Sequence, residues 1–341
     1  MGLFEKGPVR RLSEFTTKLQ AIVERFSDDA SLVDGADAIP FSHLDALAAV
    51  GLYGAFAPVA EGGLGLGLGE LCGIVEELAS ACLASTFVMI QHFRLLAAVL
   101  DPFAPPLLRG EFSRVVGGET KGGVALGGLL PGPAKLIATP TQDGWLLDGE
   151  APWVSGWGLI DQLYVAARGP NDTVVNLVVE AKNQSGLVVS RHNLSALNAT
   201  VTVKLNFNSM AVEGNRFIGQ VPYDPSREAP EGLRVNGSLA LGVARRSCTL
   251  LGPTPLDDEL RSRRDELDQA DAGTMALARA GACELAVRAS HALAVERGSS
   301  SVLQGDVAER TAREAALLLT FGSRPAIRRA LLEHFGVATP T

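Results

Sequence analysis

The chain has 341 residues, 47% of them apolar and 20% charged, an ordinary globular composition with length enough for two or three domains around a substantial core. A net charge of −8 and a pI near 5.3 leave no basic stripe to neutralise phosphates, which excludes a nucleic-acid partner. Cys72, Cys82, Cys248 and Cys283 lack CxxC spacing and read as reduced core residues.

The N-terminus, MGLFEKGPVRR, has charges where a signal peptide needs an apolar run, and no stretch reaches the roughly 18 uninterrupted apolar residues of a membrane span. A cytoplasmic protein without a membrane partner is expected. Asn-x-Ser/Thr triplets begin at Asn171, Asn183, Asn193, Asn198 and Asn236, and they carry meaning only in an exported chain.

The first hundred residues read as helices. Leu12, Phe15, Leu19, Ile22, Val23 and Phe26 recur every three or four positions, which predicts one buried face over Val9–Phe26. Pro40 and Ser42 open a short helix over Leu44–Val50 that Gly51 closes. The glycines between Gly62 and Gly69 lack the Gly-Lys-Ser/Thr ending of a phosphate loop. They predict a flexible turn into a long helix from about Leu68, with Glu70, Glu76 and Glu77 on its polar side. His92 reads as a satisfied core or surface histidine.

From about Phe112 the period changes from helical to alternating. Val124–Leu130, Ala134–Thr139, Trp145–Glu150, Gln162–Ala167, Val174–Glu180, Leu187–Ser190 and Thr200–Phe207 are predicted strands, bounded by Gly, Pro, Asn and Asp. That succession predicts an antiparallel barrel or sandwich. Asp148-Gly149 is a two-residue hairpin signal. Beyond it, Pro152–Gly158 places Trp153 and Trp157 in a glycine-rich bend with Ser155 between them. Indoles bring a large flat face and one N–H, so they sit in cores, at interfaces or against planar ligands, and a packed β corner is the commoner of these.

Helical text returns near Leu233. Helices are predicted over Asp257–Gln269, Gly273–Arg297, Val307–Leu319 and Ala326–Phe335, after a break at Gly252-Pro253-Thr254-Pro255. No Gly-x-Ser-x-Gly elbow, Ser-x-x-Lys pair or His-Glu-x-x-His motif is present, which removes the minimum parts of hydrolase and metalloenzyme readings.

Three groups of residues resemble the acyl-CoA dehydrogenase superfamily. Gly51-Leu52-Tyr53-Gly54, Pro58, Gly62-Gly63-Leu64-Gly65 and Glu76-Glu77-Leu78-Ala79 are similar to its "GL.G...P...GGLG......EELA" entrance. Asp148, Gly149, Glu150, Trp153, Val154, Ser155 and Gly156 resemble its flavin-facing strand, and Ala196–Phe207 resembles its "GMRGSGTxxVxF" entry without the arginine. The resemblance implies an α+β architecture: an N-terminal helical domain (1–112), a middle antiparallel β domain (113–225) and a C-terminal helical bundle (226–341). It implies FAD as cofactor, an acyl-CoA or related small molecule as substrate, and a homodimer or tetramer.

Carried over residue by residue, it places Trp153 and Ser155 against the flavin ring, with Trp157 as packing. Backbone groups at Leu126 and Gly127, and the turn at Gly132, complete the cofactor side. The first strand departs from the family pattern, since Gly127 and Pro133 replace its hydroxyl residues. The arginine and Phe-Gly element that holds the FAD pyrophosphate is also missing at Gly252–Leu256. Arg261, Arg263 and Arg264 are the residues near enough to substitute, or else a solvated face.

Phe321 stands where most members carry the catalytic carboxylate. The remaining candidate base is Glu231, one place out of register, and the candidate substrate-binding residue is Arg234. The resemblance therefore leaves open α,β-dehydrogenation or a related flavin oxidation of an acyl thioester. The alternatives are a catalytically impaired subunit paired with a base-carrying homologue, or a cofactor-free scaffold.

Overall fold

A computed structural model describes residues 8–224, 230–322 and 324–337. Seven helices come first: α1 Pro8–Asp34, α2 Phe41–Ala49, α3 Leu68–Ala81, α4 Leu83–Gln91, α5 Phe93–Leu100, α6 Pro106–Gly110 and α7 Phe112–Val116. On α1, Leu19, Ile22 and Phe26 are buried while Phe15 and Val23 are half-buried, as their spacing predicts; the side chain of Leu12 lies outside the described residues. Each aliphatic or aromatic side chain fully buried in this way contributes about 1.5–3 kcal/mol.

Two readings in this region need correction. The glycine-rich segment before α3 is a fixed loop, with Leu64, Gly65 and Leu66 amides donating to the Gly54, Ala57 and Ala55 carbonyls at 2.9–3.0 Å. Glu76 is not on a polar face. It is 2% exposed and receives both Nε and Nη2 of Arg264, at 2.9 and 2.6 Å. The stretch Leu83–Leu100 is long and apolar enough to cross a membrane by composition, but it breaks at His92 between α4 and α5 and is 72% buried inside the protein.

Eight strands follow: β1 Gly122–Ala125, β2 Leu136–Pro140, β3 Gly144–Val154, β4 Gln162–Gly169, β5 Thr173–Glu180, β6 Leu187–Arg191, β7 Val203–Glu213 and β8 Phe217–Pro222. They form one sheet in the order β6-β7-β3-β2-β4-β5-β8, with β1 also beside β4. The sheet is mixed rather than antiparallel throughout. β1 pairs parallel with Gln162–Val165 and β2 parallel with Arg168, so the two follow one another along the same edge of β4, joined through a turn at Gly127–Leu129. β8 was not read from the sequence.

Asp148-Gly149 is not a hairpin. It is a bulge inside β3, where the register against β7 shifts between Leu147 and Gly149. Gly149 has φ +113°, and a Cβ there would lie 2.1 Å from the Lys135 carbonyl oxygen. Asp148 fixes the bulge by accepting from the Ser209 amide at 2.6 Å and hydroxyl at 3.1 Å. An aspartate-glycine pair supplies the same backbone freedom to a bulge as to a turn.

The chain closes with α8 Pro230–Leu251, α9 Pro255–Gln269, α10 Met275–Arg297, α11 Val307–Thr320 and α12 Pro325–His334. Thr254 caps α9, accepting from the Leu256 amide at 3.2 Å while Asp257 accepts from the Thr254 amide at 2.8 Å. The architecture is helical, β, helical, around a main core that runs from α1 through the sheet into the bundle, with a smaller cluster of α5–α7 residues against Val178. Helix α7 extends past the expected limit at residue 112, and the limit at residue 225 lies outside the described residues.

The bundle is clamped to the N-terminal helices by Arg246, 7% exposed. Its guanidinium donates to the Ser80 and Ala79 carbonyls at 2.9 and 3.1 Å, to Thr311 Oγ1 at 3.1 Å and to Glu314 at 2.7 Å.

Candidate active site

Trp153, at the end of β3, is 63% exposed. It is not sealed in a core. The imidazole of His192, just after β6, lies 4.6 Å from it at an interplanar angle of 31°. His192 is itself held by Nε2, which donates to the Pro152 carbonyl at 2.7 Å, and by its amide, which donates to the Thr202 carbonyl at 3.0 Å. The indole therefore has one face supported and much of its surface open, as a platform for a flat ring requires.

β1 runs against this end of β3. A Cβ on Gly123 would lie 3.4 Å from the Ser155 carbonyl oxygen, and one on Gly127 would lie 2.4 Å from that of Glu150. The Leu126–Gly127 corner and the Trp153–Ser155 bend are thus brought together. Gly127 and Gly128 are buried, and Gly128 has Ala167 backbone atoms 2.5 Å from its would-be Cβ. No side-chain hydroxyl fits at either position. Gly132 is an exposed turn glycine at φ +90°, with nothing near it, and belongs to the loop rather than to this corner.

Ser155 is 8% exposed and hydrogen-bonded to Thr202 at 2.8 Å; Thr202 is bonded to Thr200 at 2.8 Å, and Thr200 donates to the Leu197 carbonyl at 2.7 Å. One proton per hydroxyl fixes the direction of this chain. Thr200 donates to the carbonyl, Thr202 to Thr200, and Ser155 to Thr202, so Ser155 has lone pairs to offer and no free proton. Leu197 and Val201, which bracket this turn, sit at φ +57° and +47°. Left-handed backbone at a β-branched residue is strained, and strain of that kind gathers at functional sites. Trp157 is partly buried against the core, as expected of packing.

Phe321, at the end of α11, reaches the same neighbourhood through α4. Its ring is edge-to-face with Phe87 at 4.6 Å, and Val88 Cγ1 is 3.3 Å from a would-be Cβ on Gly156. The Phe321 carbonyl accepts from Arg279 Nη2 on α10. No proton acceptor stands on this side chain.

Two expected site residues are corrected. Arg234 is 3% exposed, with Nε donating to Asp268 at 2.7 Å and Nη1 to Ser238 at 2.7 Å, so it ties α8 to α9. Glu231 is exposed on the first turn of α8. His92 is buried, and its Nδ1 accepts from the Gly122 amide at 2.9 Å. Its Nε2 has no hydrogen-bond partner among the described residues, so it is only half-satisfied. Burial pushes its pKa down to about 3 and keeps the ring neutral.

A serine–histidine–aspartate arrangement also occurs, with His43 Nδ1 2.9 Å from Ser85 Oγ and Nε2 3.1 Å from Asp29. His43 and Ser85 are 0% exposed and Phe26 stacks on the imidazole at 4.1 Å, so no substrate reaches the serine. Burial is also the largest influence on His43, whose pKa it lowers.

The residues fit a flavin ring better than a dinucleotide diphosphate. At the α8–α9 turn, a cleft of about 520 Å³ is lined by Gly252, Thr254, Asp257, Asp258 and Arg261, and its carboxylates repel phosphate. None of the three candidate arginines is free. Arg261 is bonded to Asp258, Arg263 to Glu259 and Glu266 at 3.5 and 2.7 Å, and Arg264 to buried Glu76.

Comparison with known proteins agrees with this architecture. Residues 13–112 match the family model "Acyl-CoA dehydrogenase, N-terminal domain". The chain is 26% identical over 255 residues to a benzylmalonyl-CoA dehydrogenase of Aromatoleum aromaticum, covering 69% of this chain and 66% of that protein. It is 21% identical over 218 residues to a 3-sulfinopropanoyl-CoA desulfinase of Paraburkholderia xenovorans, covering 62% of this chain and 56% of that one. These matches span between about half and two thirds of the relatives' own length. The solved structure of butyryl-CoA dehydrogenase from Megasphaera elsdenii superposes with a TM-score of 0.81 over 98% of this chain and 99% of that one, at 16% identity.

Proposed function

We propose that the chain is a member of the acyl-CoA dehydrogenase superfamily, a flavoprotein that oxidises an acyl thioester with FAD. The observation that carries this reading is the Trp153 platform, backed by His192, beside the Leu126–Gly127 corner and within one helix of Phe321. When bound, the flavin supplies a two-electron acceptor for a hydride from carbon. Trp153 would give the ring an apolar face, and the buried glycines keep side chains out of the Leu126–Gly127 corner beside it. Ser155 offers an acceptor oxygen whose position the Thr202–Thr200 chain fixes. Phe321 excludes water and takes no proton, so a proton leaving the substrate goes to a group other than residue 321.

That phenylalanine favours a second reading, a subunit without its own base that works beside a base-carrying homologue. Either way, a dimer or tetramer is supported by the exposed apolar side chains of the bundle: Leu277 and Leu303 are 56% and 62% exposed, and Val295 and Val302 are 83% and 79% exposed. Four buried unpaired cysteines support a reducing, cytoplasmic setting.

Anaerobic mixing of the FAD-reconstituted protein with a series of acyl-CoA thioesters tests the reading. Bleaching of the flavin by at least one thioester is expected. Retained flavin with no bleaching by any thioester leaves the base-lacking subunit, and no flavin uptake leaves only a scaffold with this fold.

A further inference from the structure

The outer face of the sheet gathers positive charge beside the indole. Along β3, Leu147, Ala151 and Val154 are buried while Glu150 and Trp153 turn the other way; along β7, Lys204 and Asn206 alternate with buried Val203, Leu205 and Phe207. Ser190 of β6 pairs with Lys204, and β6 leads directly into His192, which stacks on Trp153. Glu150, Lys204 and the Trp153–His192 platform therefore share one face.

Two ammonium groups meet on one carboxylate there. Lys204 Nζ lies 2.5 Å and Lys135 Nζ 3.4 Å from the oxygens of Glu150, and the Lys135 carbonyl accepts from the Glu150 amide at 2.6 Å. Lys204 first and Lys135 second hold the Glu150 carboxyl below the usual carboxylate range, so all three groups are charged at neutral pH. An ammonium has three donors, and Glu150 is the one partner each finds among the described residues. Two cations against one anion leave a net positive patch with donors to spare.

The patch also lies at a telling distance. Glu150 stands three positions before Trp153 on β3, roughly 10 Å at about 3.3 Å per strand residue, the order of length of a five-carbon chain with its phosphoester. The α8–α9 turn offers no comparable charge, since its cleft is lined by Asp257 and Asp258 and Arg261, Arg263 and Arg264 are already paired.

We propose that Lys135 and Lys204 receive the phosphate of the flavin nucleotide whose ring lies on Trp153. This rests on the flavoprotein reading and deepens it, by naming where on this chain the phosphate binds. Lysine suits a phosphate as a compact point charge. Glu150 holds the two ammonium groups together and, being negative, moderates the affinity.

The test is titration of the full chain with riboflavin, FMN and FAD, followed by flavin fluorescence. Riboflavin carries the same ring and sugar chain without a phosphate. The wild type should bind FMN about three- to thirtyfold more tightly than riboflavin, the range for two partly exposed ion pairs, and FAD should share the preference. The preference should shrink in about 0.5 M salt, where exposed charges are screened.

Lys135→Met with Lys204→Met should bind FMN no better than riboflavin while keeping the wild-type affinity for riboflavin, which also verifies that the variant folds. Glu150→Gln should tighten FMN and leave riboflavin unchanged, an effect that a merely structural ion ladder would not produce. Equal binding of riboflavin and FMN by the wild type overturns the inference alone. So does a preference that survives in the double variant, a loss there that falls equally on riboflavin, or weaker FMN binding by Glu150→Gln. If none of the three flavins binds, the flavoprotein reading fails and this inference with it.

Discussion

Protonation of His92 should weaken the protein in a defined pH window. The ring is 0% exposed, and its Nδ1 accepts from the Gly122 amide at the start of β1, the strand that leads into the Leu126–Gly127 corner. Its pKa falls from 6.5 to about 3 on folding because burial disfavours the charged form. The unfolded chain therefore binds the proton first as pH drops, so the contribution is fully present above 6.5 and is lost progressively toward 3. At pH 5 the loss from this one group is 1.5 units times 1.36, about 2 kcal/mol. Asparagine retains an acceptor near the δ position and does not titrate, so His92→Asn isolates the effect. Urea unfolding at pH 7.5 and pH 5 should show the wild type losing about 2 kcal/mol more than His92→Asn. Equal losses in the two proteins would mean that His92 is not held neutral by burial, and the reasoning fails.

Removing Glu314 leaves buried Arg246 without its only close carboxylate among the described residues, so Glu314→Ala should destabilise by about 3–5 kcal/mol in urea, and Arg246→Met with Glu314→Leu together by much less. Gly149→Ala places a Cβ against the Lys135 carbonyl at a left-handed φ, and a loss above about 2 kcal/mol is expected by thermal unfolding. Trp153→Ala removes a side chain that is 63% exposed, so the melting temperature should barely move while flavin affinity drops up to about tenfold, read by flavin titration. An unchanged affinity there would remove the indole from the site.

Much of the architecture was legible because the apolar period changes twice, from helical to alternating near Phe112 and back near Leu233. The elements missed are those whose signal is local and ambiguous. β8 carries glycine and proline in FIGQVP, and Asp148-Gly149 makes a bulge with the same residues that would make a turn.

The flavin role proposed for Trp153 and Ser155 comes from the family resemblance, since an indole and a hydroxyl in one bend read by themselves as a packed β corner. His192 was not legible, since it comes from a loop 39 positions on and meets Trp153 only after β3 and β7 pair. Arg279 reads as one more basic residue on a helix, and only three-dimensional packing reveals that its Nε and Nη1 have no hydrogen-bond partner among the described residues. The same limit misplaced Glu76 and Arg234, whose partners Arg264 and Asp268 are distant in sequence.

The most direct check is a visible difference spectrum as FAD, and separately FMN, is titrated into the purified protein and into Trp153→Ala. The wild type should perturb the flavin bands saturably with at least one of the two, quenching tryptophan fluorescence as it does so, and the variant should need more ligand. A wild-type spectrum that is only the sum of free flavin and protein would contradict the docking of a planar ring on this platform.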